Sequence, residues 1–175
     1  MPTCLLDKSV TRRMVEGLCR LEQLTSNERL VLNLWYRLYV RSVRVFVPVG
    51  VINILQKFKH ISEVNAFLAQ VEPLWPTKYM KRWARRLRQY GFTREDALIL
   101  ALATYGTDYE GKSLGVGILV TMDESFIRNF LAHQEELRAR LTSMTSRLLP
   151  PYSYARLPEV LHPRELLNFL KGEDL

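Results

Sequence analysis

Thr3-Cys4-Leu5-Leu6-Asp7 is the stretch on which the fold turns. A short apolar run with no polar alternation reads as a strand buried on both faces. It stops on a carboxylate, and helical spacing follows at once through Val10, Met14, Val15, Leu18 and Leu21. A buried strand that ends on an acid and opens a helix predicts a strand–helix unit with a polar group at the sheet's edge.

The rest of the chain repeats this alternation. Val43 to Val49 is rich in β-branched residues and predicts a second buried strand, ended by Pro48 because proline cannot donate to a central ladder. Val71 to Leu74 predicts a brief edge strand, Val116 to Thr121 a strong one and Leu157 to Leu161 a last one. Between them, Thr25-Ser26-Asn27 breaks the first helix and caps a second, marked by Leu30, Val31, Leu34 and Leu38, that runs to about Tyr39. Short helices are expected over Val51 to Phe58 and Ser62 to Ala69.

Thr77 to Tyr90 is strongly amphipathic, with Met80, Trp83, Ala84 and Leu87 on one side and Gly91 placed to end the helix. Thr93-Arg94-Glu95-Asp96 has capping-box spacing before Ala97 to Ala103, which is apolar nearly all round and predicts a buried central helix. Ser125 to Leu141 and Arg164 to Leu170 predict the last two helices, with Pro163 in the first turn of the final one. Ser143 to Tyr154, with Pro150-Pro151, reads as a flexible segment.

Apolar strands separated by helices specify an α/β fold. The expectation is a three-layer sandwich, a mostly parallel sheet of four to five strands with helices on both faces. Thr3 to Leu6 should be central, between Val43 to Val47 and Val116 to Thr121, in a single domain over residues 1–175.

The composition is that of an ordinary globular protein, 47% hydrophobic and 25% charged. Lys and Arg number 25 against 18 Asp and Glu, a net charge of +7 that favours polyanionic partners. Cys4 and Cys19 read as small core residues, and two cysteines without metal-type spacing fit a reducing compartment. The N-terminus has no basic flank and no long apolar run, so it is not a signal peptide. Val45 to Leu55, the longest uncharged apolar stretch, is too short to span a bilayer. A soluble, cytoplasmic protein is expected.

Three aspartates share one kind of position. Asp7 and Asp123 each end a strand and open a helix, and Asp96 lies in the first turn of the buried helix. Ligands of open parallel sheets bind at the carboxyl ends of the strands. Carboxylates gathered there suit Mg²⁺ or Mn²⁺, which take hard oxygen ligands. Aspartate is also favoured at helix N-termini for capping alone, and any one of the three is explained that way.

Other chemistry has less support. Lys78, Lys81, Arg82, Arg85, Arg86 and Arg88 form an arc uninterrupted by acid, which suits a phosphate backbone and equally a solvated face. Tyr79 and Tyr90 are candidate base-stacking residues; Trp75 and Trp83 read as core. His60, His133 and His162 have no ligand spacing. Ser9 lies in no nucleophile elbow, and Gly115-Val116-Gly117 lacks the rest of a dinucleotide fingerprint. Phe130, Leu131, Leu137 and Leu141 would serve a homodimer surface, although ordinary packing is the preferred reading. A receiver-like signalling domain would want an early pair of acids and a late strand-end lysine, and neither is present.

Cys4-Leu5-Leu6-Asp7-Lys8-Ser9 resembles the strand-Asp-x-Ser/Asn opening of the PIN-domain nucleases. Arg94-Glu95-Asp96-Ala97-Leu98-Ile99-Leu100-Ala101 is similar to their Arg-x-Asp-Ala-x-x-x-Ala helix start. Leu119-Val120-Thr121-Met122-Asp123-Glu124-Ser125-Phe126 is similar to their Leu-x-Thr-x-Asp-x-x-Phe segment. Val160-Leu161-His162-Pro163-Arg164-Glu165-Leu166-Leu167 resembles their last strand and helix. The resemblance covers almost the whole chain. It implies Mg²⁺- or Mn²⁺-dependent RNA cleavage, commonly as the VapC-type toxin of a toxin–antitoxin pair, with an antitoxin protein as partner. It maps Asp7, Asp96 and Asp123 onto metal-site acids, with Ser9 and Thr121 beside them, and leaves Lys78, Lys81, Arg82 and Arg85 as the RNA-contacting candidates.

The chain departs from that pattern at one place. The family's glutamate on the short helix after the second strand has no counterpart in Pro48-Val49-Gly50-Val51-Ile52-Asn53-Ile54-Leu55. Asn53 is the nearest polar residue and offers a neutral oxygen to a metal; Glu63 lies further on. The alternative is therefore a catalytically degenerate RNA- or protein-binding module.

Overall fold

The computed structural model describes residues 2–172. Five strands form one sheet: β1 (Thr3–Leu6), β2 (Arg44–Pro48), β3 (Val71–Leu74), β4 (Ile118–Val120) and β5 (Glu159–Leu161). Their order is β3-β2-β1-β4-β5, and every neighbouring pair is parallel. The first strand is central, as the sequence predicts. Register is set by pairs such as Leu5 with Phe46 and Leu5 with Leu119.

The strands are apolar on both faces because both faces are covered. Leu5, Phe46, Leu74, Leu119 and Val160 point into one core, with Trp83, Leu100, Phe126 and Phe130. Cys4, Leu6, Val45, Val47 and Val120 point into the other, with Met14, Leu34, Phe67 and Leu166. The first core is closed by α5 (Met80–Leu87), α6 (Arg94–Tyr105) and α7 (Glu124–Thr145). The second is closed by α1 (Lys8–Leu18), α2 (Ser26–Val40), α3 (Val49–Leu55), α4 (Ser62–Leu68) and α8 (Pro163–Gly172). The result is the three-layer α/β sandwich.

Local signals account for most boundaries. The Thr25 hydroxyl accepts from the Glu28 amide while Glu28 accepts from the Thr25 amide, a reciprocal cap that starts α2. Gly91 takes φ +83° and stops the turn that follows α5.

Several expectations need correction. The amphipathic helix begins at Met80, not Thr77, because residues 75–79 are drawn into the β3 end: Trp75 and Thr107 exchange backbone hydrogen bonds, and the Thr77 hydroxyl donates to the Tyr105 carbonyl. Residues 143–154 are not an irregular segment throughout. α7 continues to Thr145, since Met144 and Leu141 reach the core, and Tyr152–Tyr154 form a 3-10 turn. Cys19 is exposed, unlike the fully buried Cys4, whose thiol burial pushes up to about 12. Trp75 is 39% exposed and is not a core residue. Phe130, Leu137 and Leu141 are buried in the monomer's own core, which leaves only Leu131 of that set on the surface.

No helix among the described residues is long and apolar enough to cross a membrane.

Candidate metal centre

Strand order reverses between β1 and β4: the chain builds β2 and β3 on one side of β1, then returns to add β4 and β5 on the other. Such a switch point opens a crevice at the carboxyl ends of the strands. Asp7 follows β1, and Thr121, Met122 and Asp123 follow β4, so the two candidate segments flank that crevice. The Asp7 amide donates to the Val120 carbonyl at 2.9 Å, which continues the ladder up to the site.

Asp7 is half-buried and held through both oxygens. Oδ1 accepts from the Lys8 amide at 2.7 Å. Oδ2 accepts from the Thr121 hydroxyl at 2.8 Å and from the Ser9 hydroxyl at 3.0 Å. The Met122 amide donates to the Ser9 hydroxyl at 3.1 Å, and the Asp123 amide to the Thr121 hydroxyl at 3.2 Å. Ser9 and Thr121 therefore brace the carboxylate against the β4 loop.

Asp123 is exposed and caps α7. Its Oδ1 accepts from the Ser125 hydroxyl and amide and from the Phe126 amide. The Ser125 hydroxyl bond is the main cause that holds this carboxyl below its ordinary range. The capping reading is thus correct for Asp123, and all three of these bonds go to Oδ1.

Asp96 behaves differently. It is half-buried in the first turn of α6, where its amide donates to the Thr93 hydroxyl at 3.1 Å. Burial raises its carboxyl above the ordinary value, and the charges of Asp123, Asp7 and Glu95 push it further in the same direction. Three other acids thus act on one carboxylate.

A cavity of about 290 Å³ opens beside Asp7, with Lys8, Pro48, Met80, Glu95, Leu98 and Ile99 among its lining. Glu95 is a residue the sequence reading passed over, because it was absorbed into the helix-start pattern. The i, i+3, i+4, i+7 spacing of Glu95, Leu98, Ile99 and Leu102, all on this cavity, was the available signal. Asn53 lies exposed on α3 and lines neither this cavity nor the larger one beside α3. Lys78, Lys81, Arg82 and Arg85 are all exposed. Tyr79 packs edge-on against Tyr152, and Tyr90 against His133, so both rings are engaged within the protein.

Among the described residues no three His, Cys, Asp or Glu side chains form a group that could hold a metal ion. The donor chemistry nevertheless suits Mg²⁺ or Mn²⁺. All the donors are hard oxygens, and both the burial and the neighbouring acids that raise Asp96 are what a cation would offset.

A cavity of about 690 Å³ lies elsewhere, between α1 and α3. Val15, Val51, Ile54, Leu55 and Phe58 line it, and Arg12, Arg13 and Arg20 contribute charge around it. Among the described residues Glu16 is the one acid lining it, too few for a metal donor set.

In comparisons with known proteins, no family model matches the chain, and no curated protein or solved structure matches it.

Proposed function

We propose that the chain is a PIN-like, Mg²⁺- or Mn²⁺-dependent ribonuclease. The observation that carries this reading is the placement of Asp7 and Asp123 just past β1 and β4 at the switch point, with Asp96 near enough that their charges add to burial in raising its carboxyl. Acids that repel one another at a ligand-binding edge are arranged against stability, a mark of functional sites.

Asp7, Asp96 and Asp123 would hold the cation, and Glu95 is placed to add charge from the Asp7 cavity. When bound, the metal would supply Lewis-acid activation of a phosphodiester and of the attacking water. Ser9 and Thr121 fix the Asp7 carboxylate, so that it does not have to be ordered when substrate arrives. The exposed basic residues of α5 and of the turn before it support RNA as the substrate, with Lys78 ahead of the helix and Lys81, Arg82 and Arg85 on it contacting phosphates.

The exposed thiol of Cys19 agrees with a reducing, cytoplasmic setting. The apolar groove between α1 and α3 suits a protein partner that presents an acidic amphipathic helix, as an antitoxin partner would require. Ile54 and Phe58 are 52% and 39% exposed there.

A second reading is favoured by α3, which carries no acid toward the site. In that reading the domain binds RNA or protein without cutting. The separating experiment is cleavage of single-stranded RNA over a Mn²⁺ titration by wild type and Asp96→Asn. Metal-dependent cleavage lost in the folded variant supports the enzyme. No cleavage by wild type at any metal concentration sinks it.

A further inference from the structure

Arg82 and Arg86 lie one turn apart on α5. Arg140 and Ser143 face them from the end of α7, and Arg147 follows just past it. These residues, floored by Met144 and Leu148, line a cavity of about 340 Å³. Among the described residues, none of the four guanidiniums makes a salt bridge. Arg86 Nε is buried and has no hydrogen-bond partner. A buried N–H without an acceptor is rare in folded proteins and needs an explanation.

Helix-end electrostatics explain only part of this cluster. A helix C-terminus carries about half a negative charge, so the ends of α5 and α7 offset about one of four positive charges. About three remain around an apolar floor, where Met144 is 7% exposed. Four arginines around one cavity offer donors enough for a tetrahedral oxyanion with several acceptor oxygens. They exceed what one carboxylate would satisfy. Lys81 and Arg85 are exposed on the same helix and Arg88 just past its end, which supplies charge for further phosphates of the same strand.

We propose that this cavity is a phosphate-binding site that seats one phosphate of an RNA strand, as a terminal monoester or an internal diester. It rests on the reading that the chain handles RNA, and not on whether it cuts it. It is distinct from the acid site: Arg140 follows Asp123 by 17 positions through α7, about 26 Å at the α-helical rise. α5 borders both places, with Met80 on the Asp7 cavity and Arg86 on this one.

The test is RNA binding by fluorescence anisotropy in EDTA, where cleavage cannot enter. The probes are one single-stranded RNA with a 5′-phosphate and the same RNA with a 5′-hydroxyl, at several salt concentrations. The variants are Arg86→Gln/Arg147→Gln and the surface change Arg140→Glu, each checked for its melting temperature. Arg138→Gln, outside the cavity and paired with Glu135, is the control. The expected result is at least about a tenfold loss of affinity in both cavity variants, with a flatter salt dependence. The control should change less than about twofold. A wild-type preference for the 5′-phosphate that the variants lose identifies a terminal monoester; loss without such a preference identifies an internal diester. Wild type that binds RNA while folded Arg140→Glu binds within twofold of it overturns the arginine site and leaves the nuclease reading standing. Wild type that binds no RNA overturns both.

Discussion

The Thr121 hydroxyl donates to Asp7 Oδ2 at 2.8 Å and joins residues 114 positions apart across the boundary between β1 and β4. Thr121 is fully buried, so this bond is shielded, and its acceptor is a carboxylate. Thr121→Val keeps the shape and removes the hydroxyl. A hydrogen bond to a charged group contributes about 1.5–3 kcal/mol, so a loss of about 2 kcal/mol is expected. Thr121→Ser should recover most of it. Urea denaturation of the three proteins measures this, and a valine variant as stable as wild type would show that Ser9 alone suffices to hold Asp7.

Asp96 should oppose folding when no cation is present. Burial and the neighbouring charges of Asp123 and Asp7 raise its folded-state value above that of the unfolded chain. Folding is then favoured at pH values where the folded carboxyl still keeps its proton, and that advantage is lost as pH rises. At neutral pH the ionised group is a cost, which Asp96→Asn removes. Melting in EDTA should therefore be higher for Asp96→Asn than for wild type, while added Mn²⁺ should raise wild type more than the variant. A variant that melts lower than wild type in EDTA would falsify the repulsive arrangement of the site.

The opposite pH behaviour is expected at Arg44. Its guanidinium bonds Glu72 through two nitrogens at 2.9 and 2.6 Å and reaches Asp108 at 3.3 Å, tying β2 and β3 to the loop before β4. Burial pushes the Asp108 carboxyl up, but amides of Ser113 and Lys112 together with Arg44 outweigh it and hold the group below its ordinary value. That stability is present above the unfolded carboxylate range and is lost as pH falls through the lowered folded value. Arg44→Met should cost about 1–2 kcal/mol at neutral pH, less than a fully buried pair, because Arg44 and Glu72 are 31% and 43% exposed. It should also flatten the acid limb of a stability–pH curve. An unchanged acid limb would assign that region to other carboxylates.

These cases show where the sequence was informative. Both faces of β1, β2 and β4 are buried, so their apolar runs announced a covered parallel sheet, and Asp7 marked the carboxyl end of its central strand. Thr25 and Gly91 announced helix limits because capping and a left-handed φ need particular residue types. Cys19 and Trp75 misled because residue type gives an average burial and not a position. The start of α5 was illegible because the Trp75–Thr107 pairing joins distant segments. Glu95 was overlooked for a related reason: a helix-start acid looks the same in sequence whether it faces water or a cavity beside Asp7.

Glu95 bears on the proposed metal centre, because α3 carries no acid. One remedy would be to restore charge there by Asn53→Glu or Ile54→Glu. The structure argues against both positions. Asn53 is exposed and lies off the Asp7 cavity, while Ile54 lines the apolar groove between α1 and α3. Glu95 already lines the cavity next to Asp7, and its charge already reaches Asp96. Metal affinity depends on the carboxylates around a site as well as on direct ligands, and loss of such a partner typically costs about 10–100-fold. Glu95→Gln should therefore raise the Mn²⁺ concentration for half-maximal RNA cleavage by about that factor, with the melting temperature in EDTA unchanged or higher. Asn53→Glu should leave the metal requirement within about twofold, because its charge would be spent in solvent. The measurement is initial cleavage rate against Mn²⁺ for wild type and the two variants. A glutamine variant with the wild-type metal requirement, beside an Asn53→Glu variant that needs less metal, would return the missing charge to α3.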